Sequence, residues 1–207
     1  LSLALWVWSR WFRITEEEDD AQRVSKNTVA PIALNLVNRV IDMVFAMLML
    51  RLLGPIDASE YYYAVLLISW LDILTNFGLN TLITREVAKN RADANRYLSN
   101  GVVSRMLLWV GAVVALGVFL GLQNLVAPVH PATIVAIGLF AIALIPSNVA
   151  ATISAIFQGH ERMGVPAAIS TLTTLLKVTF GAAVLVLGLG YVGLAAVSIG
   201  VNLITML

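Results

Sequence analysis

Five stretches of this chain run for about twenty residues or more with little but apolar side chains, at 31–53, 61–83, 106–125, 133–158 and 166–189. A helix rises about 1.5 Å per residue, so each run is long enough to cross a hydrocarbon core about 30 Å thick. A sixth run, 193–207, starts near Gly193 and is truncated at Leu207. Only 12% of the 207 residues are charged and 59% are hydrophobic, where soluble domains carry about a quarter charged. The expectation is an all-α polytopic membrane protein forming a six-helix lobe, with its sixth helix incomplete.

The punctuation between the runs agrees. Asn27 or Thr28 can cap the first helix, with Pro31 in its first turn, and Pro166 opens the fifth. The connections 54–60 and 127–131 are rich in turn residues. Basic residues mark one side of the membrane. Arg23 and Lys26 precede helix 1, Arg85, Lys89, Arg91, Arg96 and Arg105 cluster around the helix 2–3 connection, and Arg162 lies in the 4–5 connection. The alternate loops hold only Arg51, a snorkelling position at the end of helix 1. The amino terminus is therefore expected in the cytoplasm. Residues 1–27 form a separate amino-terminal segment, with Trp6, Trp8 and Trp11 suited to an interface and an acidic run after them, and 28–207 form the transmembrane lobe. The non-Met start and the apolar end suggest a fragment of a longer chain.

Polar side chains inside the runs fall into stripes. Helix 1 carries Asn35, Asn38, Arg39 and Asp42; helix 2 carries Ser69, Asp72, Asn76 and Asn80. Helix 5 carries Ser170, Thr173, Thr174 and Lys177, and helix 6 carries Ser198, Asn202 and Thr205. These spacings of three, four and seven place each set on one helix face. Helix 4 adds Ser147, Asn148 and a mid-span Pro146 that frees the carbonyl of Ile142. Helix 3 is the least polar. It is expected at the periphery, with Gly117 and Gly121 spaced for close helix contact.

Four ionisable residues interrupt the runs, Arg39, Asp42, Asp72 and Lys177. Each costs roughly 2.5–3.5 kcal/mol near the bilayer centre, so each needs a partner or a watery cavity. Asp42, Asp72 and Lys177 lie about 16 Å from their helix starts, near the midplane, where secondary transporters bind cargo. The competing structural reading pairs Arg39 with Asp42, and Lys177 with Asp72 or Asp42. The asparagines equally suit interhelical hydrogen bonds.

Enzymatic chemistry finds no footing. The chain has no cysteine, and His130 and His160 lie in loops without ligand spacing. No nucleophile sits with a base, and nothing calls for a cofactor, a metal or a nucleic-acid partner. Gly188, Gly190 and Gly193 match a dinucleotide-binding spacing, but that motif follows a short strand. Here it follows a long apolar helical run and reads as a turn between helices 5 and 6.

Helix 1 ends Leu50-Arg51-Leu52-Leu53-Gly54-Pro55, and helix 2 closes Phe77-Gly78-Leu79-Asn80-Thr81-Leu82-Ile83-Thr84-Arg85-Glu86-Val87-Ala88. These segments resemble the polysaccharide-biosynthesis, O-antigen-type oligosaccharide flippase branch of the multidrug/oligosaccharidyl-lipid/polysaccharide exporter superfamily. The resemblance spans about 27–207. It implies twelve or more helices in two six-helix lobes around a cavity that opens alternately to each side, of which this chain is the amino-terminal lobe. It implies an undecaprenyl-pyrophosphate-linked oligosaccharide as cargo, the inner membrane as location, and membrane lipids and polysaccharide polymerase machinery as neighbours. Arg39 and Lys177 are the candidate cations for the pyrophosphate, and Asp42 and Asp72 would tune them or couple ions. Asn35, Asn38, Asn76, Asn148, Thr174 and Asn202 are the candidate polar lining. Two alternatives remain at this level: a proton- or sodium-coupled multidrug and toxin extrusion antiporter led by the carboxylates, and a membrane scaffold with mutually neutralised charges.

Overall fold

The structure, a computed structural model, describes residues 20–206, with side chains from residue 31 onward. The tryptophan-rich stretch expected at an interface lies outside the described residues. Six helices follow in order: α1 Asp20–Asn76, α2 Leu79–Lys89, α3 Ala94–Val126, α4 Pro131–Gly159, α5 Gly164–Val186 and α6 Gly190–Met206. One 3-10 turn, Arg91–Asp93, joins α2 to α3. The described chain is all-α, without strand. The stretches Arg91–Val126, Pro131–Gly159 and Gly164–Val186 are long and apolar enough to cross a membrane, and Gly190–Met206 is a shorter apolar helix.

Two expected boundaries move. The expected connection over 54–60 shrinks to one non-helical residue, Gly54, at φ 74° and ψ 174°. Pro55 then opens the second limb of α1, where its missing N–H has no intrahelical partner to lose. The limbs fold back on each other: Phe45 and Met49 of the first share a core with Tyr61, Ala64 and Leu67 of the second. Conversely, the run 61–83 is not one helix. Phe77 and Gly78 take φ of 23° and 77°, which ends α1 at Asn76 and restarts the chain as α2 at Leu79.

Helix α4 is the centre of the bundle and packs against each of the other five. Its buried side is rich in small residues, Ala136, Ala141, Ala143, Ala155 and Gly159, which let neighbouring backbones approach. A Cβ at Gly159 would lie 2.9 Å from Val87 Cβ and 3.0 Å from the Thr84 carbonyl oxygen. Pro146 is buried mid-helix, and side chains from both flanks serve the backbone around it. Trp109 Nε1 donates to the Ala141 carbonyl at 2.8 Å, and Asn202 Nδ2 donates to the Ala143 carbonyl at 3.0 Å. These carbonyls bracket Ile142, whose own helical donor the proline removes.

Helix α3 lies at the edge, with Val103, Leu107, Val114 and Leu122 exposed. Its close approach is not at Gly117 and Gly121, which face open space. It is at Gly101, where a Cβ would lie 2.8 Å from Ile83 Cδ1 and 3.0 Å from Thr152 Cγ2. The glycine run after α5 is a helix–helix turn. Gly188 and Gly190 take φ of 73° and 62°, and Leu189 N–H donates back to the Val184 carbonyl.

Gly159→Ala must displace backbone as well as side chains, so it should lower stability by about 1–3 kcal/mol. Gly117→Ala meets nothing, and should leave stability unchanged or raise it by about 0.5–1 kcal/mol through helix propensity. Thermal unfolding of the two variants in one detergent checks the contrast.

Candidate functional site

The polar stripe of the first limb of α1 divides in two. Asn38 is buried against α5, with its Nδ2 donating to Thr171 Oγ1 at 3.3 Å and Ser170 Oγ at 3.5 Å. Asp42, one turn on, is half-buried beside it, while Asn35 and Arg39 are exposed. At 3.6 residues per turn, 38 and 42 lie along one line of the helix and 35 and 39 along a neighbouring one about 60° away.

A pocket of about 390 Å³ opens between α1, α4, α5 and α6. Asp42, Ser147, Ser154, Ser170, Thr173, Thr174, Lys177, Asn202 and Thr205 line it. Lys177 and Asp42 thus face one space from different helices. Among the described residues neither makes an ion pair, and Arg39 forms none with Asp42. Several hydroxyls around the pocket return their proton to their own helix: Thr173 to the Ile169 carbonyl at 2.8 Å, and Thr205 to the Val201 carbonyl at 3.0 Å. That bonding satisfies a hydroxyl locally and leaves its second lone pair for a visitor.

Asp72 belongs to a different place. It lines an open pocket of about 620 Å³ with Ile73, Asn76, Phe77, Gly78 and Asn80, along the break between α1 and α2. Asn76 Nδ2 donates to Asp72 Oδ1 at 3.0 Å, and Asn80 Nδ2 donates to Asn76 Oδ1 at 3.3 Å. Arg105, from α3, reaches into the same network. Its Nη1 donates to Asn76 Oδ1 at 2.8 Å and its Nη2 to Asn80 Oδ1 at 2.6 Å. Its relative exposure is 0%, and it is the single fully buried charged side chain among the described residues.

Arg105 corrects the sequence reading, which placed it with the basic loop residues. The apolar window of helix 3 starts at the next residue, so a hydropathy reading leaves a charge at that edge outside the span. The helix itself begins at Ala94, which places Arg105 three turns in. The available signal was Asn76 and Asn80 at i, i+4, two amide acceptors without an assigned donor. Arg85, by contrast, is exposed, with Lys89 and Glu86 near it. The Lys89 hydrogen bond holds the Glu86 carboxyl below its usual range.

Asn148 is buried in α4 and its Oδ1 accepts from Thr75 Oγ1 at 3.3 Å, while Asn202 serves the Ala143 carbonyl. Both fasten helices together. A second polar cluster, absent from the sequence reading, ties the opposite end of the bundle. Buried Thr133 donates to Glu60 Oε2 at 2.7 Å and lies 3.1 Å from the Tyr191 hydroxyl, joining α1, α4 and α6.

An apolar, all-helical bundle with charged and hydroxyl side chains facing pockets between its helices is consistent with a membrane transport protein. The polysaccharide biosynthesis protein family matches residues 24–207, nearly the whole chain, and the chain belongs to that family. No curated protein and no solved structure matches it.

Asn76→Ala removes the acceptor of Arg105 Nη1 and the donor to Asp72 in one step. Unpaired buried polar groups cost about 1–3 kcal/mol each, more when charged, so this variant should be among the least stable. Asn35→Ala, exposed and without such a role, should stay within about 0.5 kcal/mol of the parent. Unfolding midpoints in detergent decide between them.

Proposed function

We propose that this chain is the amino-terminal lobe of a flippase for polyprenyl-pyrophosphate-linked oligosaccharide, acting by alternating access in the inner membrane. The observation that carries the reading is the pocket in which Lys177 and Asp42 face the same space, unpaired, in a member of a polysaccharide-biosynthesis family. An exposed lysine at the rim of a pocket between apolar helices, without an ion-pair partner, is free to meet an anionic group through a charge-assisted hydrogen bond. Lys177 attracts the pyrophosphate, with exposed Arg39 contributing from the adjoining face of α1. Asp42 keeps the cation oriented between cargoes, and Asp72 acts from the neighbouring pocket. Thr174, with Asn202 and the hydroxyls of α5, offers hydrogen bonds to sugar hydroxyls. Asn35 faces outward toward a second lobe, and Asn38, Asn76 and Asn148 hold the lining helices in place. The polyprenyl tail stays in lipid along α3 while the head group crosses. The basic residues gathered around α2 support a cytoplasmic amino terminus.

The complete protein, placed in cells lacking their own flippase, tests this through surface polysaccharide. A lost charge-assisted hydrogen bond is worth about 1.5–3 kcal/mol, so Lys177→Ala should reduce the polysaccharide about tenfold or more. Arg39→Ala should reduce it less, and Lys177→Arg should keep most of it. Full complementation by both alanine variants sinks the proposal. Retention by both with loss in Asp42→Asn would instead favour a cation-coupled extruder.

A further inference from the structure

Arg105 has a geometry that burial of a charge does not by itself require. Its two Nη groups bond one residue on each side of the break at Phe77–Gly78: Asn76 is the last residue of α1 and Asn80 the second of α2. The break has left-handed backbone at both of its residues and no side-chain cap on α2. Apart from the Arg105 bonds, the side chains across it make the direct Asn80 Nδ2 to Asn76 Oδ1 bond at 3.3 Å, and without both the junction would be free to bend. On its far side α2 is anchored to α4 through Thr84 Oγ1, which donates to the Ala155 carbonyl at 3.1 Å, and through buried Ile83 and Val87. Gly101, one turn before Arg105, permits the close approach of α3 that seats the guanidinium over the junction.

We infer that Arg105 is a positioning residue: its guanidinium clasps the α1–α2 break, sets the angle of α2, and holds Asn76 so that its amide N–H stays on Asp72. The shape of the side chain matters here as much as its charge. A planar fork presents two Nη groups to two acceptors at once, whereas an ammonium is a single point on a flexible stem. Both asparagine oxygens are neutral, and the one opposite charge nearby, Asp72, attracts the guanidinium without a direct ion pair. Such a junction suits a helix that must change its bend while the rest of the bundle stays packed. This inference stands apart from the transport reading, since it concerns the angle of one helix and not the cargo.

The test exploits the absence of cysteine from this sequence. In the complete protein, freed of any cysteine outside this sequence, Leu66→Cys and Ala88→Cys place spin labels at exposed positions on either side of the break. Double electron–electron resonance then reads the distance across it. The parent should give one narrow distribution. Arg105→Lys, which keeps the charge and the Asn80–Asn76 bond, and Asn80→Ala, which at an exposed position removes one arm of the clasp together with that bond, should each broaden it or add a second population. A change in bend of about 20–30° moves the far end of α2 by roughly 5–8 Å at 1.5 Å rise per residue. Asn35→Ala serves as the unchanged control. A parent-like narrow distribution in either Arg105→Lys or Asn80→Ala overturns the inference, because a role as buried charge alone would survive the lysine. The readout needs no transport, so a failed complementation assay leaves it intact.

Discussion

In an apolar bundle polar groups have to find partners within the protein, and this demand organises the structure, with Asn38 Oδ1, Arg105 Nε and Asn148 Nδ2 left over among the buried side-chain atoms. It is most acute at Arg105, a buried guanidinium whose two Nη groups are met by asparagines on two different helices. It recurs at Pro146, where Trp109 and Asn202 serve carbonyls on either side of the one the proline strands. It recurs again at Thr133, which ties Glu60 and Tyr191. Hydrophobic burial cannot choose among helix rotations when the surroundings are as apolar as the interior. Hydrogen bonds and small-residue contacts make that choice.

The same constraint separates two kinds of polar residue in the bundle. Asn38 is buried and bonded to α5, and Thr75 and Asn148 are buried and bonded to each other across α1 and α4, so they act as fastenings. Asp42, Lys177 and Thr174 line a pocket and are not consumed by bonds to neighbouring helices. Sequence spacing placed both kinds on the same stripes, because a stripe reports which face a residue shares and not how deep its neighbour sits. That division directs attention to Lys177 and Asp42 over the asparagines.

The residues show how far a sequence reaches. Helix type was legible from the apolar runs, and so were the approximate spans of α4 and α5, and the glycine turn after α5 was legible from the long helical run before it. The break at Phe77–Gly78 was not, since a hydropathy window averages over one turn and sees no interruption in 61–83. Proline, aspartate and serine after Gly54 point to a seven-residue connection, yet one left-handed residue suffices for the reversal. Nothing in the local sequence extends helix 3 backward to Arg105. Gly117 and Gly121 have the spacing of a contact motif, but spacing cannot say whether a partner is present.

By itself, the sequence determined that this chain is an all-helical membrane protein, because runs of apolar residues about twenty long have no other stable home. It also determined which residues are too polar for lipid. Only the tertiary structure decided which of them share a space. Lys177 and Asp42 come together while Asp72 falls to Arg105 and the asparagines, because those pairings depend on the rotation and bend of whole helices. Rotation and bend are set by contacts between residues far apart in the chain, which no local spacing records.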